Sequence, residues 1–216
     1  MTQERPNGAP PKWRRRKSAR PGEIISAALE IFADHGFAAA KLDDIASRAG
    51  VAKGSIYLYF STKEELFRAV VRSAVVPGLA PIRAVAESFD GPLSDVVPRL
   101  LAGVSAVMDQ PRLMSFVRIV IGESRNFPDI AAIWHDEVVG PVIDDFSRVM
   151  ARAQADGGMV PGDYRLQVFS IVGPLFMAML FRDVFGQVVS QPPDLARLAE
   201  LHGRTVLRGL LIEPST

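Results

Sequence analysis

"IASRAGVAKGSIYLY", residues 45–59, places Ala46, Gly50 and Ile56 four and six residues apart. That spacing suits a helix-turn-helix. Two short helices that cross steeply need a small residue where they touch, a turn residue tolerant of positive φ, and an apolar anchor on the second helix. Ala46, Gly50 and Ile56 fill those three roles. In such a unit the second helix enters the DNA major groove with its N-terminal residues against base edges. Lys53, Gly54 and Ser55 occupy those positions. Lysine donates to guanine O6 or N7, serine meets several bases, and glycine lets the helix backbone approach closely, at a cost of about 1 kcal/mol in helix stability. Tyr57 and Tyr59 suit phosphate contacts, because a phenol donates while its ring packs. The bland alternative is a helical corner that binds nothing.

Working outward, "GEIISAALEIFADHG" at residues 22–36 aligns Ile24, Ala28 and Phe32 on one stripe, and Gly36 supplies a stop. "DDIASRA" predicts a second short helix, with Asp43 and Asp44 near its N-terminus where negative charge is favoured. A third helix covers "KGSIYLY", and a fourth follows "ST", where Ser61 with Glu64 or Thr62 with Glu65 makes a capping box. Helices are predicted near 63–76, 79–89, 93–108, 111–126, 128–155, 163–186 and 194–211, punctuated by Pro77, Pro92, Pro111, Pro128 and "QPPD". Gly140-Pro141 should kink the long one. No sustained period-2 alternation calls for strands. The fold class is therefore all-α, with a three-helix N-terminal helix-turn-helix domain joined to a larger helical domain, about nine to ten helices in total. The expected divisions are a basic arm at 1–21, the head at 22–68 and the body at 69–213.

Of the 216 residues, 48% are hydrophobic and 23% charged, enough to build a substantial core. The chain has no cysteine, which excludes disulfides, thiolate zinc sites and cysteine nucleophiles and fits a reducing compartment. The first residues lack the apolar run of a secretory signal. "LQVFSIVGPLFMAMLF", residues 166–181, is shorter than the roughly 20 residues of a membrane span and reads as a buried helix. Residues 1–72 hold 13 Lys and Arg against 8 Asp and Glu, whereas residues 73–216 hold 12 against 16. A polyanionic partner should therefore meet the N-terminal end. "KWRRRKSAR", residues 12–20, is either a groove-tracking arm or a solubilising tail.

"AGVAKGSIYLYFSTKEELF", preceded by "ALEIFADHGF" and "LDDIA", resembles the DNA-binding domain of TetR-family transcriptional regulators over residues 22–72. The remainder resembles that family's variable ligand-binding and dimerisation domain, with "VGPLFMAMLF" and "LARLAELHGRTVLRGL" similar to the last two helices of one large subgroup. The resemblance implies base contacts from Lys53, Gly54 and Ser55 and phosphate contacts from Tyr57, Tyr59, Lys63 and Arg48. Lys41 stands where the family usually has a capping Thr or Ser; it can reach phosphate but cannot cap. It further implies a cytoplasmic homodimeric repressor, paired through helices near 163–186 and 194–211. A small, largely apolar ligand would release it from a palindromic site on double-stranded DNA, with the fourth helix as the lever and no membrane partner.

Phe116, Trp134, Phe176 and Met177, with Met179, form the candidate ligand-pocket set, although each alone also reads as ordinary core. Arg118 and Glu123 either orient a ligand or pair within the chain. His135, Asp136 and Glu137 are adjacent, so a helix points them apart and no metal site is expected. Asp144 and Asp145 diverge likewise, with no nucleophile nearby, so no enzyme activity and no cofactor is expected. His202 reads as an interface histidine. The other functional class is a ligand-independent architectural DNA-binding protein, which would need a closed, fully packed body.

Overall fold

The computed structural model describes residues 20–88 and 90–211. The head comprises α1 (Arg20–Ala39), α2 (Leu42–Arg48) and α3 (Lys53–Ile56), and α4 (Lys63–Ala74) leads out of it. The body holds α5 (Val76–Ser88), α6 (Leu93–Met108), α7 (Pro111–Glu123), α8 (Pro128–Trp134), α9 (Gly140–Ala155), α10 (Tyr164–Phe185) and α11 (Leu195–Leu210). Between α8 and α9 lies a π-helical turn, His135–Val139. Among the described residues the one β feature is an isolated bridge between Met159 and Leu211, so the all-α expectation holds. Most of the expected basic arm lies outside the described residues, and Arg20 and Pro21 belong to α1.

Local chemistry sets the ends of these elements. Thr62 Oγ1 accepts from the Glu65 amide at 3.1 Å and Glu65 Oε2 accepts from the Ser61 amide at 2.7 Å, so the Thr62 and Glu65 pair caps α4. Asp163 and Asp194 accept from amides in the first turns of α10 and α11. Pro77 has no N–H with which to extend α4, and the chain bends by 55° between α4 and α5.

Three expectations change. The third helix is a single turn ending at Ile56, with Tyr57 capping it. The helix expected over 128–155 is divided at the π turn, where the Gly140 amide reaches back to the His135 carbonyl. Pro141 cannot donate to the Glu137 carbonyl, so the ladder shifts register just before it. The third change concerns α10, whose most apolar window is only 28% buried and which is long and apolar enough, by length and composition, to cross a membrane. Leu166, Met177, Val184 and Phe185 are exposed on it.

One continuous core joins head and body. Ile24, Phe32, Phe37, Ile45, Ile56 and Leu66 are fully buried in the head, while α6 packs on α5 and α11 in the body. Phe67 on α4 bridges them. Its ring centroid lies 5.6 Å from Phe32, 5.4 Å from Phe37 and 5.8 Å from Phe116 on α7. The division expected at 68/69 thus falls inside α4, a helix shared by both parts.

Candidate nucleic-acid interface and effector cavity

Ala46 and Ile56 are fully buried, and Gly50 between them has φ +66°. The turn closes with the Gly50 amide on the Ser47 carbonyl and the Val51 amide on the Ala46 carbonyl. A Cβ at Gly50 would meet nothing within 4 Å, so glycine is required there by the left-handed backbone alone. This arrangement holds α3 outward. Tyr57, Leu58 and Tyr59 are 54%, 79% and 37% exposed, while Phe60 turns into the core.

At the start of α3, Lys53 is exposed and its Nζ lies 2.5 Å from Asp43 Oδ2. The hydrogen bond that the Lys53 ammonium donates to Asp43, reinforced by the carboxylate's charge, raises the Lys53 pKa. Gly54 has ordinary helical φ and open space where a side chain would stand. Ser55 is half-buried beside it. Lys41 is exposed at the N-cap of α2 and makes no side-chain cap bond. Arg48 is paired with Glu30 at 2.7 Å, an exposed pair that is easily exchanged for another anion.

Lys63 is placed differently from the expectation. Its ammonium donates to the carbonyls of Phe37, Ala38 and Ala40 at 2.7, 3.3 and 3.1 Å and sits 4.4 Å from the Phe37 ring centroid. Burial lowers its pKa below the usual lysine value. The free protein thus gives Lys63 an internal role where a phosphate contact was expected: it binds the carbonyls of Phe37 and Ala38, at the end of α1, and of Ala40, in the link to α2.

Glu123, at the end of α7, serves the amides of the same segment. Gly36 has φ +77°, and the freed amides of Phe37 and Ala38 donate to the two Glu123 carboxylate oxygens, the first at 3.0 Å. Glu123 therefore joins body to head. Arg118 pairs with Asp183 on α10, as an intrachain ion pair.

In the body, α5 to α10 line a cavity of about 280 Å³ that opens to the surface beside Phe169 and Phe176. Its walls include Ile82, Val104, Trp134, Val138, Val142 and Phe176, and none of the lining side chains is charged. Of the expected set, Trp134, Phe176 and Met179 line it. Phe116 does not: it is 2% exposed and stacked behind Trp134 with centroids 6.2 Å apart. Met177 does not either, being 64% exposed on the outer face of α10. The aliphatic walls were not singled out from sequence, since a valine facing a void and a valine facing a neighbour have the same spacing.

The π turn contributes Val138 and Val139 to this cavity and Glu137 to α4. Glu137 accepts from Arg68 at 2.7 Å and from Arg72 Nε and a terminal nitrogen at 2.8 Å each. The Arg72 hydrogen bond is the largest cause holding the Glu137 carboxyl below its ordinary range, so the clamp stays ionised at neutral pH. It weakens only as pH falls through that lowered value. Asp145 is buried against Arg148 and Arg83, Asp144 faces Arg165, and the two carboxylates diverge as expected. Among the described residues no group of three or more potential ligands could hold a metal ion. His202 Nε2 lies 3.1 Å from the Ser170 carbonyl, which ties α11 to α10.

A tight turn on a left-handed glycine, a buried small-residue crossing and an exposed basic one-turn helix define a helix-turn-helix DNA-binding head. Comparison with known proteins agrees. Residues 24–70 match the family model of bacterial regulatory proteins of the tetR family, and residues 96–192 match the C-terminal domain of AefR-like transcriptional repressors. The transcriptional regulator RutR of Escherichia coli (strain K12) is 33% identical over 174 residues, which is 74% of each chain. A TetR-family regulator from Mesorhizobium loti shares the fold with a TM-score of 0.74 at 22% identity, over 91% of this chain and 99% of its own. SmeT of Stenotrophomonas maltophilia, solved in complex with triclosan, gives 0.66 at 22% identity over 92% and 96%. The chain belongs to the TetR family of transcriptional regulators. It is a DNA-binding regulator and not an enzyme.

Proposed function

We propose that this regulator is a cytoplasmic homodimeric repressor, released from a palindromic operator by a small, uncharged, largely apolar ligand. The cavity carries the reading. A carboxylate or ammonium inside those walls would lose its water with no counter-charge, a penalty of several kcal/mol, whereas an apolar molecule gains burial. The complex of SmeT with triclosan supports the same use of this fold. An open cavity of this size speaks against a ligand-independent architectural protein.

Lys53, Gly54 and Ser55 meet base edges, while Tyr57, Tyr59, Lys41 and Arg48 meet phosphates. A second copy docks through the exposed apolar faces of α10 and α11, including Leu166, Met177, Val184 and Leu201. Two heads so joined reach successive major grooves when half-sites lie about 34–36 Å apart. If the dimer neutralises about eight phosphates, log affinity falls with log salt at a slope near −7. The basic arm, outside the described residues, adds to that slope if it tracks the duplex.

The test uses a duplex selected from random DNA and the uncharged fluorophore N-phenyl-1-naphthylamine. Fluorescence gain on binding, lost in Val142→Trp, and a weakened duplex complex are the expected results. Absence of any fluorescence gain removes the cavity reading. Bound probe with unchanged duplex affinity removes release by this class of ligand.

A further inference from the structure

Three carboxylates tie the body to the DNA-binding head and its exit helix, Glu123, Asp136 and Glu137, and the last two lie in the π turn that adjoins the cavity; Asp136 is the more exposed and meets only Arg68, at 3.6 Å. Glu123 lies six residues beyond Val117, the last cavity residue of α7, at the end of a regular helix. Glu137 lies between the cavity residues Trp134 and Val138, inside the π turn. Its side chain is 12% exposed and receives three hydrogen bonds from two arginines of α4. We infer that Glu137 is the positioning residue that reports occupancy of the cavity to α4, through the π turn it shares with Val138 and Val139.

The reasoning is mechanical. A π turn is a local departure from the α ladder, with its Gly140 to His135 bond spanning one residue more than the bonds on either side. Single π turns of this kind recur at functional sites, and here Pro141, which has no N–H for the Glu137 carbonyl, holds the ladder out of α register. Filling the space beside Val138 and Val139 bears directly on the turn. Any change in it moves the carboxylate that holds Arg68 and Arg72, one helical turn apart on the face of α4 turned toward Glu137. The same α4 carries Phe67 into the head core and Lys63 onto the carbonyls after Gly36. A second contact runs in parallel, from Trp134 through the Phe116 ring to Phe67. It is apolar and non-directional, whereas the clamp fixes its donors and acceptors geometrically and so distinguishes one position of α4 from another.

This inference rests on the reading of the cavity as an effector site, and the experiment separates the two. Hydrogen exchange is followed in the full chain with and without N-phenyl-1-naphthylamine, for the wild type, Glu137→Gln, Arg72→Gln and Glu123→Gln. In the wild type, the probe changes exchange in both 135–139 and 63–74 severalfold. In Glu137→Gln and Arg72→Gln the probe still binds and still alters 135–139, but 63–74 no longer responds. Glu123→Gln keeps the response of 63–74.

An α4 response that persists unchanged in Glu137→Gln overturns the inference and leaves the cavity reading intact. Equal loss in Glu123→Gln also overturns it, because any loosening between head and body would then suffice. If the probe binds none of the four proteins, the cavity reading fails and takes this inference with it.

Discussion

The reading head and the effector cavity are built by opposite strategies. The head is read from one short stretch, residues 45–60, in which neighbours in sequence are neighbours in space and the exposed side chains include Arg48, Lys53, Tyr57, Leu58 and Tyr59. The cavity is assembled from six helices, spread from Leu79 to Met179, and its walls are the residues that any helical core would use. The first depends on local backbone geometry and the second on what remains unfilled after packing. Substitutions in the head should therefore alter DNA binding through single residues, whereas the cavity should respond to volume and not to any one side chain.

The largest effect is expected where the two constructions meet. Phe67 is fully buried and touches rings from both the head and α7. Phe67→Ala should cost about 3–5 kcal/mol of stability by chemical denaturation, the range for a buried phenylalanine truncated to a cavity. Head and body should unfold together in the wild type. Two separated transitions in the variant would show that Phe67 makes them one cooperative unit, and a loss below about 1 kcal/mol would mean that the seam carries little of that cooperativity.

How far each region could be read from sequence follows from this contrast. Ala46, Gly50 and Ile56 were legible because a steep crossing and a left-handed turn admit few residue types at fixed spacing. Helix ends were legible where Asp163, Asp194 or Thr62 caps them. The π turn was visible only as a kink, since Gly140-Pro141 says that the ladder must break but not how it is re-satisfied. The internal bonds of Lys63 were not legible because its partners lie 23 to 26 residues upstream, at the end of α1 and in the link to α2, where no local pattern singles out those carbonyls. Glu137 was weighed only with its neighbours His135 and Asp136 as a metal site, and its arginines lie 65 and 69 residues away. Met177 was misassigned because an apolar residue on a two-faced helix can serve the cavity or the outer stripe, and spacing alone does not say which.

A smaller effect isolates the head's chemistry from its fold. Lys53 is exposed and pairs with Asp43 at the surface, so Lys53→Ala should leave thermal stability nearly unchanged. Affinity for a selected duplex should fall roughly 5- to 150-fold, with a smaller loss on random DNA. Equal losses on both duplexes would assign Lys53 to phosphate and leave base reading to Ser55 and the backbone of Gly54. Gly50→Ala tests the fold in turn, since a side chain at φ +66° costs about 1–2 kcal/mol even with open space around it.

A modest gain in stability at Gly54 is the most informative about function. Gly54 lies four residues from Gly50 in the same motif, and a methyl group added there would likewise meet nothing within 4 Å, but its backbone is ordinary helix. No feature of the free protein calls for glycine there. Gly54→Ala should therefore stabilise the isolated protein by about 0.5–1 kcal/mol, through helix propensity and a less flexible unfolded chain. The same substitution should weaken binding to every duplex if the backbone of α3 packs against DNA, because the new methyl group occupies the approach. Denaturation and fluorescence anisotropy on one preparation give both numbers. A variant that is more stable and binds as tightly as the wild type would show that DNA does not approach α3 at Gly54, and would move the contact surface toward Tyr57 and Tyr59. A gain in stability paired with a loss in affinity would identify Gly54 as a residue kept for its partner and not for the fold, the reverse of Gly50.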